Sequence, residues 1–278
     1  MPVMSSALDD NVLVHVHIYK CAGTSVRVWL FRAFPHGFGS WYPNYVFDDV
    51  KLEAAGLGDR RLRAVSSHVI RRFRPAACGR RMNYFTLIRH PIDHVLSHLR
   101  YMCQIQHEAN PAQALPSIRD IVALLLNTPG IDPFWENIQT NFLARHIWTE
   151  NEGKRFNCDP DGPQSWPKEA TDAYKRARLD VAKDVLRSFL AVGTVERVIE
   201  SLELLRFRAA PLGFELLPPP QLTTENVTNL AMEDRSWIGE HDPLGRRFLA
   251  HMKEDEELYA FAEQSLDEAR EAFIRAAG

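Results

Sequence analysis

The chain reads as an α/β protein built on a parallel central sheet flanked by helices, and three observations predict it. Short apolar runs alternate with stretches of helical spacing along most of the sequence. Residues 16–30, "VHIYKCAGTSVRVWL", pass from a strand-like run through a small-residue loop into a helix-like stretch. The same order recurs in "MNYFTLIRHPIDHVLSHLRYM", and such repeated units close as a parallel sheet covered on both faces.

Residues 11–18, "NVLVHVHI", alternate apolar positions with His15 and His17 and are short enough for a buried central strand. Val26, Trp29, Leu30 and Phe34 then share one helical face, with Thr24 or Ser25 near the cap; Trp29, Phe31 and Phe34 are expected in the core. Residues 62–66 and 82–88 are the next strands. Pro91 suits the first turn of a helix over 92–105, which carries Val95, Leu96, Leu99 and Met102. Residues 117–148 read as two helices broken at "NTPGIDP", and 149–167 have the composition of a long loop. A helix over 168–187, a strand over 189–194 and a helix over 195–207 follow. Residues 208–245 are largely irregular, and the tail from 246 is amphipathic helix. No internal repeat or linker divides the chain, so residues 1–278 are expected as one domain with helical and loop insertions.

Composition narrows the partners. With 45% hydrophobic and 25% charged residues, 278 residues can bury a full core, and a net charge of −3 provides no global field for nucleic acid or an anionic membrane. Any anion site must be local. Cys21, Cys78, Cys103 and Cys158 lack metal or disulfide-framework spacing and are expected as free thiols. No stretch reaches 18 apolar residues and no basic leader precedes the first strand, so a soluble, non-secreted chain is expected.

Ligands of parallel sheets bind beyond the carboxyl ends of the strands, which directs attention to the loops there. In "KCAGTS", Lys20, Gly23, Thr24 and Ser25 combine a point charge, a permissive backbone position, two hydroxyls and helix N-terminal amides, the parts of an anion cradle. Because the lysine precedes the glycine, the order departs from GxxxxGK[ST]. The alternative is a plain strand-to-helix turn with a solvated lysine. Arg89 at a strand end and Ser97 two helical turns on can clamp a second anion, although strand-end arginines also serve as structural ion pairs. His68 follows a strand at the same edge, where an imidazole can accept a hydroxyl proton. His15 and His17 read as packed within their strand, whereas His90, His94 and His98 suit either the second loop or a helix surface. No metal is expected, since no carboxylate or cysteine joins these histidines at ligand spacing. Arg71, Arg72, Arg74, Arg80 and Arg81 form a basic stretch, read either as a solvated loop or as a contact for an anionic acceptor.

Taken in order, Lys20 to Ser25, His68, "LIRHPIDHVLSHLRYM" and "VGTVERVIESLELL" resemble the carbohydrate sulfotransferases, closest to the heparan sulfate 2-O-sulfotransferase-like branch. "ENIQTNFLA" is similar to that branch's Asn-x-x-Thr segment, "TTENVTN" to its late cofactor-contacting loop, and "DEELYAFA" to its terminal helix. The likeness spans a core of about residues 12–262. It implies a P-loop-like fold that transfers a sulfuryl group from 3′-phosphoadenylyl sulfate (PAPS) to an acceptor hydroxyl, on a carbohydrate or glycosylated small molecule. By position, Lys20, Gly23, Thr24 and Ser25 are then expected at the 5′-phosphosulfate, Arg89 and Ser97 at the 3′-phosphate, and Thr223 and Thr224 beside the nucleotide. His68 is the expected base and Lys20 its catalytic partner. Tyr19 stands where the family usually has proline, Cys21 where threonine is common and His90 where aspartate is frequent. The lack of a membrane anchor departs from Golgi members and implies a cytoplasmic enzyme. Two rival classes remain: a magnesium-dependent P-loop kinase, and a non-catalytic nucleotide- or glycan-binding module.

Overall fold

In the computed structural model, the described residues are 10–40, 59–68, 80–112, 115–128, 135–144, 172–219 and 235–277. They form a five-stranded, all-parallel sheet flanked by helices. In chain order the elements are β1 (Asn11–Val16), α1 (Gly23–Ala33), β2 (Phe38–Ser40), β3 (Ala64–Ser67) and β4 (Arg81–Ile88). Then come α2 (Pro91–Ala109), α3 (Ile118–Asn127), α4 (Ile138–Ala144), α5 (Asp172–Arg187), β5 (Ala191–Thr194), α6 (Val198–Ala209), α7 (Pro243–Ala250) and α8 (Lys253–Ala277).

The sheet order is β2-β3-β1-β4-β5, so β1 lies at the centre, with Val14 paired to Val65 on one side and Tyr84 on the other. From β1 the chain runs through α1 to the β2 edge; from β4 it runs the opposite way to β5. Neighbouring strands whose outgoing connections diverge open a crevice at their carboxyl ends, and here the loops flanking it begin at residues 17 and 89.

Period-two alternation assigns each strand residue to a face. Val12, Val14, Val16, Tyr84 and Ile88 pack with Leu179, Val185 and Leu186 of α5 and with Leu258 of α8. Leu13, Phe85 and Leu87 point the other way, against Val26, Trp29 and Leu30 of α1 and Leu202 and Leu205 of α6. A third cluster joins α2, α3 and α7 through Leu96, Leu99, Val122, Trp135, Trp237 and Phe248. Among the described residues no helix is long and apolar enough to cross a membrane.

Several expected boundaries shift. β1 ends at Val16 rather than 18, and β3 occupies Ala64–Ser67 rather than 62–66. β2 had no clear signal: three residues are too few to show a period. The expected tail helix is two helices, α7 and α8, and α7 starts at Pro243 because Asp242 accepts from the amides of Leu244 and Gly245. Phe31 is not core; it is 55% exposed, facing away from the stripe that buries Trp29 and Leu30. Arg80 is not solvated either: its buried guanidinium donates to the carbonyls of Asp59 (3.0 Å) and Leu62 (2.6 Å).

Candidate active site

The loop after β1 is built on backbone geometry that few side chains favour. Lys20 and Ala22 have φ of 60° and 54°, with Cys21 between them at negative φ. Alternating hands of this kind turn successive amides into one concavity, and the open first turn of α1 adds its own N–H groups. Neither Thr24 nor Ser25 caps α1: the N-cap is Ala22, which makes no side-chain cap bond. The first-turn amides therefore receive no cap from the Ala22 side chain, and Thr24 is exposed. Gly23 is required by contact. A Cβ there would lie 1.5 Å from Nε2 of His17, whose ring fills that space.

The lysine and the arginine of the two loops lie together. Arg89 donates from Nη1 to the carbonyl of Lys20 (3.1 Å), tying the end of β4 to the loop of β1. Its Nε is buried with no hydrogen-bond partner among the described residues, a donor still in need of an acceptor. Lys20 is half-buried, and its Nζ stands 4.4 Å over the ring of Tyr101 on α2. Burial, and then the Arg89 charge, lower the Lys20 pKa. Ser97 is half-buried on the same helix, one turn before Tyr101.

His68 extends from the end of β3 into a row of rings. It lies 4.0 Å from His17 and 4.0 Å from Tyr19, centroid to centroid, and His15 and Phe85 continue the row beneath His17 at 5.2 and 4.9 Å. His68 Nδ1 is 2.7 Å from the carbonyl of His17. A carbonyl only accepts, so Nδ1 carries the proton and Nε2 keeps its lone pair. Burial pushes the His68 pKa down to about 4, against the raising effect of that bond.

Four residues outside the expected set hold the loops and the helices behind them in place. His94 is not on a helix surface: it is fully buried and donates from Nε2 to the carbonyl of Tyr19 (2.6 Å). The Gln139 side chain accepts from the amide of Arg89 (2.8 Å), donates to its carbonyl (2.7 Å) and meets the Cys21 thiol at 3.5 Å, bracing both loops. Asp255 accepts from the amides of Gln139 (3.1 Å) and Thr140 (2.8 Å), while Asn137 Oδ1 accepts from those of Glu254 (3.0 Å) and Asp255 (3.2 Å). Each residue thus caps the other's helix. Asn137 has φ of 46°, which asparagine tolerates better than most side chains. "ENIQTNFLA" and "DEELYAFA" were the available signal for Gln139 and Asp255, since they stood out only as family likenesses.

The structure thus joins the loops of Lys20 and Arg89 directly and sets His68 beside them through Tyr19. Thr223, Thr224, Arg71, Arg72, Arg74 and the 149–167 loop lie outside the described residues. Among those described, the Cys21 and Cys103 side chains are buried, and no group of three or more His, Cys, Asp or Glu side chains can hold a metal. A cavity of 640 Å³ lined by Leu204, Phe207, Phe273 and Ile274 lies by the carboxyl end of α6, away from these loops. No protein-family model matches the chain, and no curated protein matches it.

Proposed function

We propose that the chain is a PAPS-dependent sulfotransferase with a P-loop-like fold. The observation that carries this reading is the pairing of two anion-seeking loops at the sheet's switch point, joined by Arg89 to Lys20 O, with a neutral imidazole beside them. The order β2-β3-β1-β4-β5 and a lysine-bearing loop after the central strand support the P-loop-like part.

The residues fit the donor substrate's two charged ends. The left-handed pair at Lys20 and Ala22, with the amides of Gly23, Thr24 and Ser25, suits a 5′-phosphosulfate; the orphan Nε of Arg89 and the Ser97 hydroxyl suit a 3′-phosphate. PAPS supplies the sulfuryl group: the acceptor oxygen bonds to sulfur as the bond from sulfur to the bridging phosphate oxygen breaks. His68 Nε2 takes the hydroxyl proton. Lys20 neutralises the charge left on the phosphate oxygen. No step calls for a metal or a covalent enzyme intermediate.

Calorimetric titration with adenosine 3′,5′-bisphosphate and with ATP, with and without magnesium, tests the reading. Tight binding of the bisphosphate without magnesium is expected, weakened roughly tenfold or more by Arg89→Ala. His68→Ala is expected to keep that binding and lose roughly 10²–10⁴-fold in sulfate transfer, and Lys20→Ala to lower kcat by a similar order. Magnesium-dependent ATP binding in place of the bisphosphate would establish a kinase instead, and nucleotide binding with no transfer to any hydroxyl would leave a binding module.

A further inference from the structure

We infer that the acceptor carries its hydroxyl on, or directly beside, an aromatic or alkyl group, which rests on an apolar platform formed by Tyr19, Tyr101, Met102 and Ile105. The inference rests on the sulfuryl-transfer reading above and names its substrate class. Both groups that flank the reacting oxygen in that reading lie against exposed aromatic side chains. Tyr19 stacks on the His68 ring at 4.0 Å, and the Lys20 ammonium stands over the Tyr101 ring at 4.4 Å.

From Tyr101 the apolar surface continues outward along α2. Ser97, Tyr101 and Ile105 follow one another at four-residue spacing, so they share one stripe that starts at the candidate phosphate site, with Met102 alongside. Tyr19, Tyr101, Met102 and Ile105 remain 42%, 44%, 51% and 45% exposed. The core does not account for the three on α2, because that helix already packs through Val95, Leu96, Leu99 and Cys103 on its other side, while Tyr19 meets Phe142 edge-on at 5.9 Å. Large apolar side chains gathered in the open beside a reactive site mark a surface for an apolar ligand.

Charge points the same way. Residues 101–109, "YMCQIQHEA", contain no lysine or arginine, and Gln104 donates to Glu108 on the exposed side (2.9 Å). At the start of α2, Asp93 pairs with Arg235 (2.8 Å). A polyanionic saccharide would find no lysine or arginine along the outer half of this helix; a neutral ring finds tyrosine, methionine and isoleucine. A phenol and a glycoside with an aryl aglycone share that chemistry.

The test runs on the full chain. Adenosine 3′,5′-bisphosphate binding is measured first, since its absence sinks the sulfuryl-transfer reading itself. Product is then followed by mass spectrometry with PAPS and, in turn, 2-naphthol, 4-nitrophenyl β-glucoside, methyl β-glucoside and a sulfated disaccharide. The phenol or the aryl glycoside is expected to exceed methyl glucoside in kcat/KM by about tenfold or more. Preference for methyl glucoside or the sulfated disaccharide overturns the inference while leaving sulfuryl transfer intact. Ile105→Glu is expected to raise KM for the aryl acceptor about tenfold and leave KM for PAPS unchanged; an unchanged acceptor KM overturns it. If no nucleotide binds, 4-nitrophenyl β-glucoside is titrated onto the ligand-free chain: binding that Ile105→Glu weakens supports the platform, and no binding overturns it.

Discussion

Gly23 owes its identity to His17, six residues earlier and just past the end of the central strand. The imidazole occupies the place where a side chain at Gly23 would go, and it also forms one wall of the His68 stack. Gly23→Ala should therefore act twice. Overpacking against a ring held between His15 and His68 is expected to cost about 2–3 kcal/mol, read from the urea unfolding midpoint. Because His17 can yield only by moving off its neighbours, transfer activity in the folded variant is expected to fall as well. The pattern of small residues in "KCAGTS" showed that the loop was tight. It could not show that a histidine made it so, since that contact depends on how the loop folds back over the strand. His94 is a similar case: helical spacing left it open to either environment, and only the packing of α2 against the first loop buries it on Tyr19 O.

Between elements, the reciprocal caps of α4 and α8 hold the candidate site from behind. Asp255 fixes the start of α4, and Gln139 in the first turn of that helix then braces both loops. Asp255→Ala leaves two buried amides without acceptors and is expected to destabilise the fold by about 2–4 kcal/mol. Asn137→Ala removes the opposite cap at about 0.5–2 kcal/mol. A double-mutant cycle by urea denaturation should show coupling between the two, because each residue positions the helix that the other caps. The Gln139 brace predicts that both variants also weaken bisphosphate binding. At this scale the long elements were legible from their periods: α1, β4, α2 and α5 fall close to their expected ranges. The three-residue β2 and the break between α7 and α8 were not, for a short strand has no measurable period and a tail rich in charge reads as continuous helix.

For the whole molecule, histidine burial predicts how stability responds to acid. Burial depresses His15 and His94 to about 3 and lowers His17 further, each from an ordinary value of 6.5. Below pH 6.5 the unfolded chain takes up protons on these groups while the folded chain does not, so their stability is present above pH 6.5 and is lost as pH falls. Asp255 opposes them: burial raises its pKa from 3.8 to about 6, and the folded state gains its proton first. With His68, which burial lowers to about 4, these histidines outweigh Asp255 and leave a net loss of stability on acidification between pH 6 and 5, measured as the urea midpoint at pH 7.5, 6 and 5. His94→Gln, which keeps a donor for Tyr19 O, should flatten that slope. By itself the sequence determined the parallel α/β class, the two strand-to-helix loops with Lys20 and Arg89, and His68 at the end of a strand, because strand and helix periods and punctuating residues are local properties. Only the tertiary structure decided that β1 sits between β3 and β4, that Arg89 reaches the Lys20 carbonyl, and that Gln139, Asp255 and His94 hold the loops. It also set Tyr19 and Tyr101 beside His68 and Lys20. These are contacts between residues 50 to 116 positions apart or across faces of different elements, and no local pattern encodes them.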